Sequence, residues 1–251
     1  FMQWTLLIGS EYNAITTNRP GTINSTSAVP TGLYQFEIGP RMMNKNVLPW
    51  LFLKTIPGMD TIITVPIQLR MGVYKNTEWQ VSFANDYLTL GVLYGGINIF
   101  KGLENSIIFT TSVSENTDSL TEYSAYLPIS YTFENGFTIS GQIAETIFNN
   151  KKLDPILSYS LAIGSPLGDK TGWFFELYQS QTIEYNITTN IPMMFLFTEQ
   201  IPLSVDWGIT YLSDNNVQFD LSMGLSWKKD DSDYIETERF IEGGLSVRIP
   251  E

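Results

Sequence analysis

Between Leu203 and Trp227 the chain alternates, residue by residue, between two chemically different faces. Leu203, Val205, Trp207, Ile209 and Tyr211 share one side, with Ser204, Asp206, Gly208 and Thr210 on the other. After the turn sequence Ser213-Asp214-Asn215-Asn216 the pattern resumes. Val217, Phe219, Leu221, Met223, Leu225 and Trp227 now oppose Gln218, Asp220, Ser222, Gly224 and Ser226. Side chains of a strand point alternately to opposite sides, so this long period-two pattern predicts a β-hairpin with one oily and one wet face. The wet face carries hydroxyls, glycine, an amide and a lone carboxylate per strand. A surface meeting bulk water would carry Lys and Glu instead. The oily face is unbroken and ends in Trp or Tyr. A strand crossing a bilayer around a polar lumen needs that arrangement. A soluble β-sandwich or lipocalin-like barrel would share the alternation, but the small, hydroxyl-rich polar face argues against it.

The same pattern recurs along the chain. Tyr34, Phe36 and Ile38 oppose Gln35 and Glu37. Ile63 to Val73 reads as one strand, with Thr64, Gln68, Arg70 and Gly72 on its polar side. Trp79, Val81 and Phe83 follow, then Leu88 to Tyr94, the Ser/Thr-rich Ile107–Ser114, and Tyr123 to Phe133. Glu134-Asn135-Gly136 is a tight turn, because Asn-Gly supplies the positive φ angles a short hairpin needs. Phe137 to Ile143, Leu157 to Ile163, Trp173 to Leu177 and Ile241 to Ile249 complete the series. Two stretches are ambiguous: Val47–Ile56, which contains Pro49, and residues 182–202. The acidic segment Lys228–Glu238 and the polar loop Glu115–Ser119 read as connections.

Composition supports lipid as the outer solvent. Charged residues make up 16% of the 251, against about 25% in soluble domains. No window reaches the roughly 18 continuous apolar residues of a membrane helix, so a membrane location must be taken by strands. Strands satisfy their backbone in hydrocarbon only when the sheet closes. The expected fold is therefore all-β, a transmembrane antiparallel up-and-down barrel over 33–251, with 12 strands favoured and 14 the alternative. Residues 1–32 form an irregular segment, either associated with the lumen or looped outside. The absence of a basic leader before Phe1 reads as a mature chain.

Charge and missing residue types exclude several functions. Lys+Arg 14 against Asp+Glu 26 gives −12, the wrong sign for binding nucleic acid. There is no His and no Cys, which removes Ser–His–acid catalysis and His- or Cys-built zinc sites. No spacing singles out a carboxylate pair, so the chain reads as a non-enzyme without cofactor or metal. Asp230, Asp231, Asp233, Glu236 and Glu238 lack the spacing of a Ca²⁺ loop and read as a solvated outer loop. Charge on the lipid face costs about 2–4 kcal/mol at midplane, so strand charges should face inward. Glu37, Arg70, Glu122, Glu176, Asp206, Asp220, Glu242 and Arg248 are the expected lumen lining. They either select solute, mildly favouring cations, or pair to fill a narrow lumen. Arg19, held by Pro20, is either a lumen plug docked on inward carboxylates or an exposed loop residue. Trp173, Trp207, Tyr211, Trp227, Tyr131 and Phe133 are expected near strand ends as an interface girdle.

The ends of the chain carry a further pattern. Ile15-Thr16-Thr17-Asn18-Arg19-Pro20 precedes Val29-Pro30-Thr31-Gly32, and Gln35, Glu37 and Gly39 follow in the first strand. Gln218 to Gly224 and Gly244-Leu245-Ser246-Val247-Arg248 stand near the other end. In that order these motifs resemble the outer-membrane transporter family named for the MetA pathway of phenol degradation. Asn18 stands where that family usually has Asp. The resemblance implies a porin-like barrel in the outer membrane of a Gram-negative bacterium, in contact with lipid and lipopolysaccharide. The expected role is a passive channel or transporter for small solutes, apolar ones among them. The alternative is a barrel with a blocked lumen that anchors or scaffolds other envelope proteins.

Overall fold

The computed structural model describes residues 15, 17, 23–45, 61–84, 87–114, 120–150, 153–182, 203–229 and 235–250. Arg19, Val47–Ile56, Glu115–Ser119, residues 183–202, Asp230, Asp231 and Asp233 lie outside them. Among the described residues there are fourteen β segments. The first five are β1 (Leu33–Ile38), β2 (Arg41–Lys45), β3 (Thr61–Thr64), β4 (Ile67–Tyr74) and β5 (Thr77–Ala84). Next come β6 (Tyr87–Phe100), β7 (Leu103–Ser114), β8 (Thr121–Thr132), β9 (Thr138–Phe148) and β10 (Ile156–Pro166). The last four are β11 (Thr171–Thr182), β12 (Leu203–Asp214), β13 (Val217–Lys229) and β14 (Ile235–Pro250).

Two pairs of segments are halves of single strands. β1 and β2 both pair with β14, from Leu33↔Pro250 through Ile38↔Leu245 and then from Arg41↔Glu242 to Lys45↔Glu238. On their other side β1 pairs with β4 and β2 with β3. The breaks fall at Pro40 and Pro66, which have no N–H to give a ladder. Both proline carbonyls are still used: Gly39 N–H donates to Pro66 O at 3.2 Å and Gly243 N–H to Pro40 O at 3.1 Å. The expected single strand Ile63–Val73 is thus split by Pro66, with its register preserved. Joined this way, the segments make a closed antiparallel barrel of twelve strands in up-and-down order, sealed where β1 meets β14. Closure leaves no sheet edge in hydrocarbon.

The alternation resolves as the sequence requires. Phe36, Trp79, Phe109, Leu161 and Leu221 are among many large apolar side chains left exposed on the outer wall. The buried set is instead mostly polar, including Gln35, Glu37, Arg70, Glu78, Gln142, Glu176 and Ser246. This inverts a soluble core, so the solvent on the outside is lipid. Among the described residues no helix is long and apolar enough to cross a membrane.

Two expectations are corrected. The acidic connection Lys228–Glu238 is partly strand: Lys228 pairs with Glu236 and Lys229 with Ile235. Glu238 itself is buried rather than solvated. Trp207 is not at a strand end; it pairs with Phe175 and Met223 in the middle of the outer wall. Of the other expected girdle aromatics, Tyr131 is edge-on to Phe133 at 4.7 Å, with Phe100 6.1 Å from Tyr131, whereas Trp173 borders a cavity inside the barrel.

Candidate functional site: the strapped lumen

One end of the barrel carries tight turns, at Lys75-Asn76, Lys101-Gly102, residues 133–137, residues 167–170 and Asn215-Asn216. In outer-membrane barrels such turns face the periplasm and the longer loops face outward. The Asn-Gly turn is present, with Gly136 at φ 82° and Gly136 N–H donating to Phe133 O at 2.9 Å.

The residues before β1 run around the inner wall at this end. Ile15 N–H donates to Asn215 O at 3.0 Å, and the Thr17 hydroxyl accepts from Gln218 at 3.2 Å. Further on, Asn24 donates twice to Gln142 Oε1 on β9, both at 2.9 Å. Ser106 on β7 donates to Ser25 O at 3.1 Å, and Ser27 donates to Glu104 Oε2 at 3.1 Å. Gly96 on β6 donates to Thr26 O at 2.6 Å, and Val29 N–H donates to Glu78 Oε2 on β5 at 2.6 Å. Residues 23–30 therefore form a strap that follows the inner circumference from β9 back to β4.

Glycines make room for it. A Cβ on Gly72 would overlap the Pro30 carbonyl, and one on Gly95 would sit 2.6 Å from Thr26 O. Both glycines are on the inward face, where other strand positions carry polar side chains. The wall is notched where the strap's backbone crosses it.

An ion triad fixes the strap's last turn. Arg70 is fully buried; its Nη1 lies 3.1 Å from Glu37 Oε1 and its Nε 2.7 Å from Glu78 Oε1. Nη2 donates to Glu78 Oε2 at 2.9 Å and to Ser27 O at 3.1 Å. Gln35 donates to Glu37 Oε1 and Gln80 to Glu78 Oε1, each at 2.7 Å. A buried charge pair needs this many hydrogen bonds to offset its desolvation. Glu78 was not among the expected lining residues. Its signal was available, because it lies two residues before Gln80 on the same polar face.

The other expected residues fall elsewhere. Arg248 holds the β12–β13 turn, donating through Nε to Asn216 Oδ1 at 3.1 Å and through Nη2 to Asn215 O at 3.0 Å. Asp220 faces the barrel axis beside Gly244, where a Cβ would crowd its carboxylate. Glu122 is on the inner face of β8 beside Ser124, which is hydrogen-bonded to Thr146 at 2.8 Å. Glu176, Asp206 and Glu242 come together on the β11, β12 and β14 wall. They line a cavity of about 100 Å³ with Arg41, Tyr178 and Phe240. A second cavity of about 260 Å³ lies between the strap and the facing wall, bounded by Asn24, Thr26, Ser130, Ser140, Phe174 and Thr210. Glu176 borders both cavities. Arg41 and the inward aromatics Phe174 and Phe240 were missed, since each interrupts an otherwise small polar face.

A closed barrel with an apolar outside and a polar, strapped inside is a membrane-spanning β-barrel of the bacterial outer-membrane class. Solved structures carry the same fold. An outer-membrane channel from Pseudomonas putida F1 matches at TM-score 0.64 and 8% identity, covering 92% of this chain and 99% of that one. The NanC porin matches at TM-score 0.55 and 9% identity, over 85% of this chain and 98% of that one. The KdgM porin matches at TM-score 0.52 and 10% identity, over 84% and 98%. No protein-family model and no curated protein matches the chain.

Proposed function

We propose that the protein is a passive outer-membrane channel for small solutes, restricted at its periplasmic end by the strap of residues 23–30. The observation that carries this reading is a pair of cavities inside the barrel, one of about 260 Å³ beside the strap and one of about 100 Å³ on the β11–β12 wall, that share Glu176 as a lining residue. Twelve strands lie between barrels of about eight strands, which side chains fill, and those of about sixteen, which hold a channel. The structural neighbours support the same role: two are porins and the third is an outer-membrane channel. The terminal motifs support membership of the MetA-pathway transporter family. Lipid and lipopolysaccharide surround the outer wall in this reading. A second reading, a sealed barrel that anchors other envelope proteins, is favoured by the fully hydrogen-bonded Arg70 triad that locks the strap.

Conductance in planar bilayers separates the two. Wild-type protein should give small, stable single-channel steps. Gly72→Val puts a side chain where the Pro30 carbonyl lies, so it should displace the strap and raise conductance, at a stability cost of about 1–3 kcal/mol. Gly168→Val, in a turn where a Cβ meets nothing within 4 Å, should conduct like wild type. A barrel silent in all three forms is the sealed anchor.

A further inference from the structure

The wall formed by β11, β12 and β14 holds buried charge that the strap's hydrogen bonds do not explain. Glu176 and Asp206 are direct partners across the β11–β12 ladder, which sets their Cβ atoms about 4.5–5.5 Å apart. Both are buried, at 2% and 8% exposure. Carboxylates placed directly opposite repel each other. Asp206 Oδ1 also has no hydrogen-bond partner among the described residues, and a buried carboxylate oxygen left so is costly.

The rest of the cavity is built to stay open. Asp206 faces Gly224 on β13, and the Phe240 ring occupies the space where a Cβ on that glycine would stand. Arg41 lies over the other part of that ring, its guanidinium carbon 3.9 Å from the centroid, and it is the ladder partner of Glu242. Among the described residues Arg41 is the cation that lines this cavity; it is stacked on an aromatic and placed opposite Glu242, and its charge also acts on Asp206 without a hydrogen bond to Oδ1. The volume of about 100 Å³ equals that of about three waters, enough for a compact head group.

We infer that this cavity binds a small primary ammonium or guanidinium cation. Its N–H groups donate to Asp206 Oδ1 and bridge to Glu176, and its carbon end lies toward the Tyr178 and Phe240 rings. A cation with N–H donors answers both defects at once, the repulsion and the empty acceptor. A metal does not fit as well: among the described residues no group of three or more carboxylates is placed to hold one. The inference rests on the lumen being a solute route, since the cavity is reached from within the barrel.

Ethylammonium chloride, titrated calorimetrically into the detergent-purified full chain, tests the site without needing an open pore. Saturable binding at one site is expected, weakened about tenfold or more by Asp206→Asn, because a charge-assisted hydrogen bond is lost. Glu176→Gln should weaken it too, which guards against a fold defect in one variant. Tetramethylammonium, with the same charge and no N–H, should bind more weakly. Glu134→Gln, at an exposed turn, should bind like wild type. Three results would overturn the site: no saturable binding by wild type, equal binding by Asp206→Asn, or binding that emerges only with Arg19→Gln. The last would mean that the chain's own guanidinium takes the place. Binding without bilayer conductance would keep the site and remove the channel; conductance without binding would do the reverse.

Discussion

On the β4–β5 wall, Arg70 sits between Glu37 and Glu78 at 3.1 and 2.7 Å, and both glutamates accept further hydrogen bonds from Gln35, Gln80 and the strap. On the β11–β12 wall, Glu176 and Asp206 face each other across one rung, and Asp206 Oδ1 has no partner. Both walls carry buried carboxylates on antiparallel ladders. What differs is an arginine at the centre of one and a cavity at the centre of the other. Buried charge that holds a structure together arrives with its counter-charge and donors. Buried charge that handles a ligand is left short of them, at a cost to stability. In the proposed reading, the lumen divides into a side that secures the strap and a side that meets solute.

The sharpest way to break this contrast is Arg70→Met. It strands two buried glutamates, and unfolding by urea in lipid vesicles should show a loss of about 3–5 kcal/mol. Adding Glu37→Gln and Glu78→Gln to the same protein should recover part of that loss, since no charge is then left uncompensated. Equal losses in the single and triple variants would show that the triad is not what secures the strap. On the outer wall, Leu161→Arg places a charge opposite Leu177 and Gly141 in mid-strand and should cost about 2–4 kcal/mol. An unchanged unfolding midpoint there would mean that this face does not meet hydrocarbon.

The barrel was legible because its rule is local. Leu203 to Trp227 states the period, the faces and the turn within one hairpin, and closure follows from the backbone's needs in lipid. The inward set from Glu37 to Arg248 followed from the same rule. The strap was not legible as a strap, because Ile23 to Pro30 has no period, and its hydrogen bonds go to residues far along the chain, such as Gln142. Its traces lie instead in the wall, as glycines at the inward positions 72 and 95. Pro40 and Pro66 hid the joins between half-strands, since a proline in sequence signals a break, whether or not the register continues past it. The dense charge of Lys228–Glu238 likewise looked like a loop, although its two ends pair as strands.

The smallest effect should come from Lys101→Ala, and its value lies in the distance. Lys101 Nζ is 3.1 Å from Glu134 Oε1, the same separation as Arg70 Nη1 from Glu37 Oε1. Geometry alone would rank the two contacts alike. The Lys101 pair, however, is about nine-tenths exposed at the turn end of the barrel, while the Arg70 pair is fully buried. Water already solvates both exposed partners, and salt screens their attraction, so losing one leaves nothing stranded. The urea midpoint of Lys101→Ala should therefore match wild type at 0.15 M salt, in the same vesicles where Arg70→Met fails. A comparable loss from both would mean that separation, not burial, sets the worth of these pairs, and the distinction between the two walls would lose its physical basis.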